Sequence, residues 1–433
     1  MLGPVRGRVL AFAFLLAVVT YLDRICISAA TPYIMDDLHL SVLQMSVVFS
    51  AFTLAYSLFE IPSGWLGDVR GPRRVLTRIV LWWSGFTMLT GAARGFASLV
   101  AIRFLFGAGE AGAFPNVARS FSNWFPLSER GRANGVMFLG SRLGGMLSAP
   151  LALWLILRFG WRTAFVVFGA VGIVWAAAWF WWYRDRPEEH AAVTPEELAW
   201  IRQDDRRHSA GGDGESRNLP TPWRTLLTSP NLYAICAMYF AFGYGLYFYF
   251  TWLPTFLIKV LGFSVFSGGL FASLPFLLAG VADITGGWLT DRLSATKGLR
   301  IGRCYLGFGA FLTCAAFVLA STAPIAPVAK AVLLAFALAS ADLALGACWA
   351  APLDIAPDHA GVITGFMNTL GNLGGMVGPI VVGFAVERLG SWNVAFYITS
   401  AVYASGAIAW LAVDPTKMIN AKVAKVGVRS DFS

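Results

Sequence analysis

Long apolar runs separated by short polar breaks dominate the chain, and the length of those runs decides what they are. Windows of roughly 19–25 residues isolate twelve apolar segments, at 9–34, 43–66, 75–93, 98–121, 134–157, 163–183, 232–260, 268–289, 304–323, 328–350, 362–387 and 393–413. Each can cross about 30 Å of hydrocarbon as an α-helix. Inside a bilayer only helices and closed barrels satisfy every backbone donor and acceptor, so the pattern predicts an all-α polytopic membrane protein of twelve transmembrane helices. The opening MLGPVRGRVL is basic like the start of a signal peptide, but the apolar run behind it is too long and carries a charged pair. A retained first helix is therefore expected.

The pattern also divides the chain. A polar stretch at 184–228 separates the sixth and seventh segments. Within it, TPEELAWIRQDD offers Thr194 as a cap, Pro195 at the first helical position and Glu197 to close a capping box, which predicts a short surface helix. HSAGGDGESRNLPTP after it reads as a flexible linker. The expected organisation is a six-helix bundle over 1–183, a linker over 184–228, a second six-helix bundle over 229–414 and a tail over 415–433. The halves repeat: Gly144-Gly145-Met146 matches Gly374-Gly375-Met376, Trp161 and Phe165 match Trp392 and Phe396, and Gly-Trp-Leu-x-Asp occurs at Gly64–Asp68 and again at Gly287–Asp291. Two parallel repeats place a ligand site near the midplane between them, reached from alternate sides by rocking of one half on the other.

Composition agrees with the pattern: 57% of residues are hydrophobic and only 13% charged, where a soluble domain carries about a quarter. The net charge of +9 reflects topology. Lys and Arg crowd the loops on the side of both chain ends, whereas the opposite side has only Arg94, Arg158, Arg162, Lys259, Lys330 and Arg388, so both termini are expected in the cytoplasm and nucleic acid is not expected as a partner. The five cysteines fall in apolar segments without metal-ligand spacing and read as packing residues. No phosphate-binding glycine loop, metal cluster or Ser/His/Asp set is visible. No catalytic residue, metal or cofactor is therefore expected, and an ATP-driven pump is disfavoured.

What remains is the charge inside the apolar runs, where an unpaired ion costs several kcal/mol. TYLDR puts Asp23 beside Arg24 in the first segment, and RFLFGAGEAGAFPN brings Arg103 and Glu110 into the fourth. Arg103 and Glu110 are two helical turns apart on one face, about 10 Å along the axis. Asp23 and Arg24 differ by about 100° around their helix, so both can border a wide cavity without sharing a direction. A locked internal salt-bridge network is the competing account. Arg142, ten residues into the fifth segment opposite Asn372 in the repeat, either meets a second anionic group on a ligand or partners an acid such as Asp342 or Glu110. Asp342, alone in the tenth segment, reads as an additional proton site or a polar residue facing water. Tyr244 and Tyr247, three apart near two glycines, can hydrogen-bond a ligand, as can Tyr56, Asn368 and Asn372. Glu60 and Asp283 each lie eight residues before the loop aspartate of their half and are expected toward the inner helix ends, in gate ion pairs, with substrate contact as the alternative. His39, His190, His208 and His359 all read as loop residues, which leaves proton chemistry to carboxylates.

These motifs carry a resemblance. GWLGDVRGPRR (residues 64–74) is similar to the loop after the second helix of major facilitator superfamily transporters, with Val69 where that family usually has a basic residue. The turn at Gly71, with Asp68, Arg73 and Arg74 clamping neighbouring helix ends, and Asp291 in the second half, are expected to gate. TYLDR together with RFLFGAGEAGAFPN resembles the anion:cation symporter branch, which includes sialin and the galactonate, hexuronate and phthalate permeases. That resemblance implies a substrate-contacting Arg24, proton coupling at Asp23 and Glu110, and a monomer in a bacterial cytoplasmic membrane. It implies a non-enzymatic, proton-coupled importer of a small organic anion, such as a hexuronate, aldonate or aldarate. Aromatic or short-chain carboxylate permeases, and a sensor that binds without transporting, are the alternatives.

Overall fold

The computed structural model describes residues 3–202, 223–356 and 360–417. Among these there is no strand, and twelve long helices span the bundle: α1 (Pro4–Leu38), α2 (Val42–Arg70), α3 (Pro72–Thr90), α4 (Phe96–Trp124), α5 (Leu127–Phe159), α6 (Trp161–Trp182), α7 (Pro230–Thr251), α8 (Val265–Lys297), α9 (Arg300–Ala320), α10 (Pro327–Ile355), α11 (Ala360–Leu389) and α12 (Trp392–Ala412). Eleven contain a stretch long and apolar enough to cross a membrane. The other, α3, opens with Arg73, Arg74 and Arg78 and is apolar only beyond them. Helix starts follow local chemistry. Ser41 and Gln44 close a reciprocal capping box on α2, while Pro230 and Pro327 occupy first positions where a missing N–H costs nothing.

The seventh predicted span turns at Trp252, between Pro230–Thr251 and a short continuation over 253–260, and two others are broken in mid-span. The fourth breaks at Ala111 and Gly112 into Phe96–Glu110 and Ala113–Trp124, and the tenth breaks at Leu343 and Ala344 into Pro327–Asp342 and Leu345–Ile355. Gly112 adopts φ +89°, and a Cβ there would lie 2.3 Å from that of Ser63, so the break needs glycine. Asn116 secures it, donating to Gly112 O at 2.7 Å and Ser63 O at 3.1 Å. Each first segment thus ends on an acid, Glu110 in one half and Asp342 in the other.

The repeat seen in the sequence is a packing repeat. In the first half α5 lies closest on α1, where Cβ atoms at Gly140 and Gly144 would meet the carbonyl oxygens of Phe14 and Val18 at 2.5 Å. In the second half α11 lies closest on α7, where Gly374 and Gly378 face the carbonyls of Phe240 and Tyr244 at 2.2 and 2.6 Å. Small residues let helix backbones approach where lipid removes the hydrophobic drive between them. The halves meet through α2 with α11 and α5 with α8. Away from the face that holds both chain ends they are stitched by Ser28 Oγ to Thr251 O at 2.6 Å, Ser50 Oγ to Met376 O at 2.7 Å, Ser273 Oγ to Met146 O at 2.5 Å and Leu43 N to Glu387 Oε2 at 2.8 Å.

The surface helix forms over Pro195–Ile201 with Thr194 accepting from Glu197 N at 3.2 Å. Its predicted capping box does not close, because the Glu197 carboxylate turns instead to Arg6 of α1 and accepts from Arg6 N at 3.0 Å. The linker segment after it lies outside the described residues, as do His208 and His359.

Close approach at Gly144 predicts a measurable cost. Gly144→Ala should lower the melting temperature of the purified protein, because overpacking costs typically about 1–3 kcal/mol. Gly85→Ala in α3, where a Cβ would meet nothing within 4 Å, should leave it unchanged. Equal melting temperatures for both variants would show that the α1–α5 contact relaxes freely.

Candidate functional site

Between the halves lies a cavity of about 190 Å³ lined from both sides. It is smaller than the ~300–1,000 Å³ of drug-sized sites and suits a small ligand. Helices α1, α2, α4 and α5 contribute Tyr21, Arg24, Tyr56, Glu60, Phe114, Phe138, Ser141 and Arg142, while α7, α8, α10 and α11 contribute Tyr239, Tyr247, Asp283, Trp349, Asn368 and Asn372 among others. Nine aromatic or amide side chains among those named present π-faces and hydrogen-bonding edges around two guanidinium groups.

Arg24 is the first of the two. Its Nε donates to Glu110 Oε1 at 2.9 Å and its Nη2 contacts the same oxygen. The guanidinium carbon sits 5.3, 5.1 and 4.9 Å from the ring centres of Tyr21, Phe52 and Tyr56, a cage that stabilises a desolvated cation through ring quadrupoles. Nη1 has no hydrogen-bond partner among the described residues. Glu110 is fully buried at the break of α4, and its Oε2 is unpartnered. Breaking a buried pair of this kind strands a charge, which costs about 3–5 kcal/mol.

Arg142 is the second. Its Nε donates to Asp283 Oδ2 at 2.6 Å, and its Nη1 stands 3.2 Å from Asp342 Oδ2. Of the two accounts open in the sequence, this geometry realises the partnered-acid one, with Asp342 and Asp283 as the acids and not Glu110. Asp342 is wholly buried, so it does not face water.

The other predicted residues separate into groups. Tyr56, Tyr247, Asn368 and Asn372 line the cavity as expected. Asn368 Nδ2 donates to both oxygens of Glu60, at 3.0 and 2.9 Å, and Tyr247 Oη reaches Asn372 Oδ1 at 3.5 Å. Glu60 and Asp283 were expected at gates near the helix ends but stand in the cavity wall, joined across the interface to Asn368 and Arg142. Asp23 does not border the cavity. The 100° step from Arg24 turns it into its own half, where it accepts from Trp83 Nε1 of α3 at 3.1 Å. Arg103 also stands outside, buried behind Arg24, with its guanidinium carbon 4.2 Å from the Phe106 ring centre and 5.2 Å from that of Phe52. Tyr244 leaves the site as well and sits beside Thr399 of α12. The stripe of α7 facing the cavity runs through Tyr239, Gly243 and Tyr247, and Tyr244 lies about 140° around from Tyr239.

At the face of the chain ends, Gly71 turns with φ +80°, as the motif predicts. Arg73 donates from its backbone N to Asp185 Oδ1 at 2.8 Å and from Nε to Phe180 O at 2.9 Å, which ties α3 to the end of α6. Burial holds the Asp185 carboxyl above its ordinary range in spite of that bond. The Asp68 side chain lies outside the described residues. In the other half Arg303 joins Asp291 at 3.2 Å and Asp354 at 2.9 Å.

Sequence reasoning missed Tyr21, Tyr239, Trp349 and the ring wall of Phe114 and Phe138. Tyr21 was findable, since it lies one turn before Arg24 on the same face. Tyr239 was findable two turns before Tyr247. Nothing in the sequence distinguishes Trp349, Phe114 or Phe138 from lipid-facing aromatics.

Known proteins share this architecture. Residues 13–379 match the family model described as Major Facilitator Superfamily. The chain is 36% identical to a "Probable sulfoacetate transporter" of Cupriavidus necator, over 98% of this chain and 97% of that one. It is 32% identical to a "Hexuronate transporter" of Bacillus subtilis (92% and 93% covered) and 32% identical to a "Probable galactarate/D-glucarate transporter" of the same species (96% and 93%). Its fold matches the crystal structure of a bacterial homologue of the human lysosomal transporter Spinster with TM-score 0.71, at 18% identity and 95% coverage of each chain. By family match and by relatives aligned along nearly its whole length, the chain belongs to the Major Facilitator Superfamily as an integral membrane transporter of organic anions, and it is not an enzyme.

Proposed function

We propose that the chain is a proton-coupled importer that carries a small sugar acid, a hexuronate, aldonate or aldarate, by alternating access. One observation supports this above others: the charge around the site is unbalanced. Arg24, Arg103 and Arg142 face Asp23, Glu60, Glu110, Asp283 and Asp342, five carboxylates against three guanidiniums, all buried or lining the cavity. An anion entering such a place adds to an excess of negative charge in a poorly screened medium. Protons that neutralise carboxylates remove that excess, so anion and proton binding favour each other. Asp23 and Glu110 are the coupling acids in this reading, and Arg24 with its open Nη1 edge takes the substrate carboxylate.

The names of the relatives support an organic anion, and the hydroxyls and amides of Tyr56, Tyr247, Asn368 and Asn372 suit a polyhydroxylated one. A second reading, a short dianion, is favoured by the printed function of the 36%-identical relative. Closure on the face away from the chain ends fits a cavity open to the cytoplasm, given basic loops beside both termini. The domain limits at 183, 228 and 414, the bacterial cytoplasmic membrane and a monomeric state belong to the same reading.

Uptake by proteoliposomes of a panel of hexuronates, aldonates, aldarates, sulfoacetate and aromatic acids, with and without an inward proton gradient, tests the whole. Counterflow separates a carrier from a sensor, and accumulation driven by sodium alone would reject protons. Arg24→Lys should lower transport about ten- to a hundredfold, because an ammonium cannot supply the planar two-donor edge and one charge-assisted bond contributes roughly 1.5–3 kcal/mol. Near-normal uptake by that variant would remove Arg24 from substrate contact. Glu110→Gln and Asp23→Asn should each abolish gradient-driven accumulation while leaving counterflow measurable. Full gradient-driven uptake by both would assign coupling elsewhere.

A further inference from the structure

We propose that Asp283 and Asp342 form a second proton-binding site in the opposite half from Asp23 and Glu110, and that its occupancy sets how firmly Arg142 is held across the interface. The proposal deepens the proton-coupled reading given above and rests on it.

Three structural facts carry it. Asp342 ends the first segment of the broken α10 as Glu110 ends the first segment of the broken α4, so the internal repeat places a buried acid at the same point of each half. Both breaks are pinned by a glycine contact to the preceding helix pair: Gly112 against Ser63 of α2, and Gly286 of α8 against Leu343 O, 2.1 Å from where its Cβ would lie. Second, the two acids share one cation. Arg142 comes from α5 of the first half, and both of its partners come from the second. Two carboxylates around one guanidinium leave one negative charge uncompensated in a dry place, and one shared proton removes it. Third, access is graded. The Asp342 side chain is 0% exposed and that of Asp283 23%, so Asp283, in the cavity wall, connects the sealed acid to whichever side the cavity faces.

The remaining titratable neighbours are Tyr21 from α1, Tyr239 and Tyr249 from α7, Cys314 from α9, Cys348 from α10 and Tyr403 from α12. Tyrosines and thiols carry no charge near neutral pH by their ordinary values, and no other ion reaches the cluster among the described residues. With the pair ionised, both acids hold Arg142. With the proton bound, Arg142 loses part of that hold and its guanidinium becomes available to an anion in the cavity. Proton and anion binding are then linked at this second site reciprocally.

Infrared difference spectroscopy on the full chain in detergent, without substrate, reads the site directly. A step from about pH 9 to about pH 5 spans the reach of buried carboxylates and should produce a protonated-carboxyl C=O band. One component of it should vanish in Asp342→Asn and in Asp283→Asn yet persist in Glu110→Gln and Asp23→Asn. In Arg142→Gln that component should persist to more alkaline pH, because the cation that favours the ionised acids is gone. A component retained in both Asp283→Asn and Asp342→Asn, or a midpoint unmoved by Arg142→Gln, would overturn the proposal. Where Asp342→Asn does not fold, Asp283→Asn, which leaves Arg142 paired one-to-one with Asp342, gives the same readout on its own. Failure of the Asp23 and Glu110 assignment would show separately, as a spectrum unaffected by Glu110→Gln and Asp23→Asn.

Discussion

A buried carboxylate at a helix break, held by an arginine from another helix, is the interaction on which the site depends. Glu110 occupies the last position of the first segment of α4 because Gly112 takes a left-handed conformation and packs on Ser63. Without the break the helix would continue and the acid would stay within an unbroken i to i+4 ladder. With it, the acid meets Arg24, and Arg24 in turn is fixed among Tyr21, Phe52 and Tyr56. Discontinuous helices of this kind recur where transporters bind ions, since irregular backbone at membrane depth is tolerated only beside a cavity or buried in protein.

The glycine contacts explain why that pair can be placed at all. Backbone-to-backbone approach of α5 on α1 and of α11 on α7 makes each half a firm unit. The bonds between halves are fewer, and away from the cavity they include serine hydroxyls to single carbonyls, such as Ser28 to Thr251 and Ser50 to Met376. Tight packing within halves and a light seam between them favour motion of one half against the other over deformation within either. At the cavity, Arg142 with Asp283 and Asp342, and Glu60 with Asn368, are charged contacts across that seam, so cavity chemistry and the seam share side chains.

The fold was largely legible in the sequence because the bilayer leaves few solutions: apolar length gave the spans, and repeated Gly-Gly-Met and Gly-Trp-Leu-x-Asp segments gave the two halves. Helix breaks were not legible, since hydropathy runs straight through Ala111, Gly112, Leu343 and Ala344. The site was legible where charge itself is the anomaly, as at Arg24, Glu110 and Arg142. It was misread where angle decides: Asp23 and Tyr244 are each one to three residues from a cavity residue and point elsewhere. Spacing along a helix predicts which residues share a face, but which face meets the cavity is set by neighbouring helices. For the same reason Glu60 and Asp283 were placed at the helix ends by their distance from the loops, whereas their partners Asn368 and Arg142 put them in the wall.

Symmetry of the fold and asymmetry of the charge together define what the cavity can do. Each half has a broken helix ending on an acid, yet Glu110 is matched by Arg24 from its own half while Asp342 is matched by Arg142 from the opposite one. In the alternating access proposed above, a pair within one half is carried along by a movement of the halves, so Arg24 and Glu110 would respond to what enters the cavity and not to which side it faces. A pair between halves is sensitive to that movement, because rocking changes its distance and a Coulomb interaction in a medium of low dielectric changes steeply with distance. The first arrangement suits recognition of an anion; the second suits sensing the conformation. On the proposed mechanism, placing both on one cavity would let the binding of the anion and the exchange of access influence each other through the same few charges.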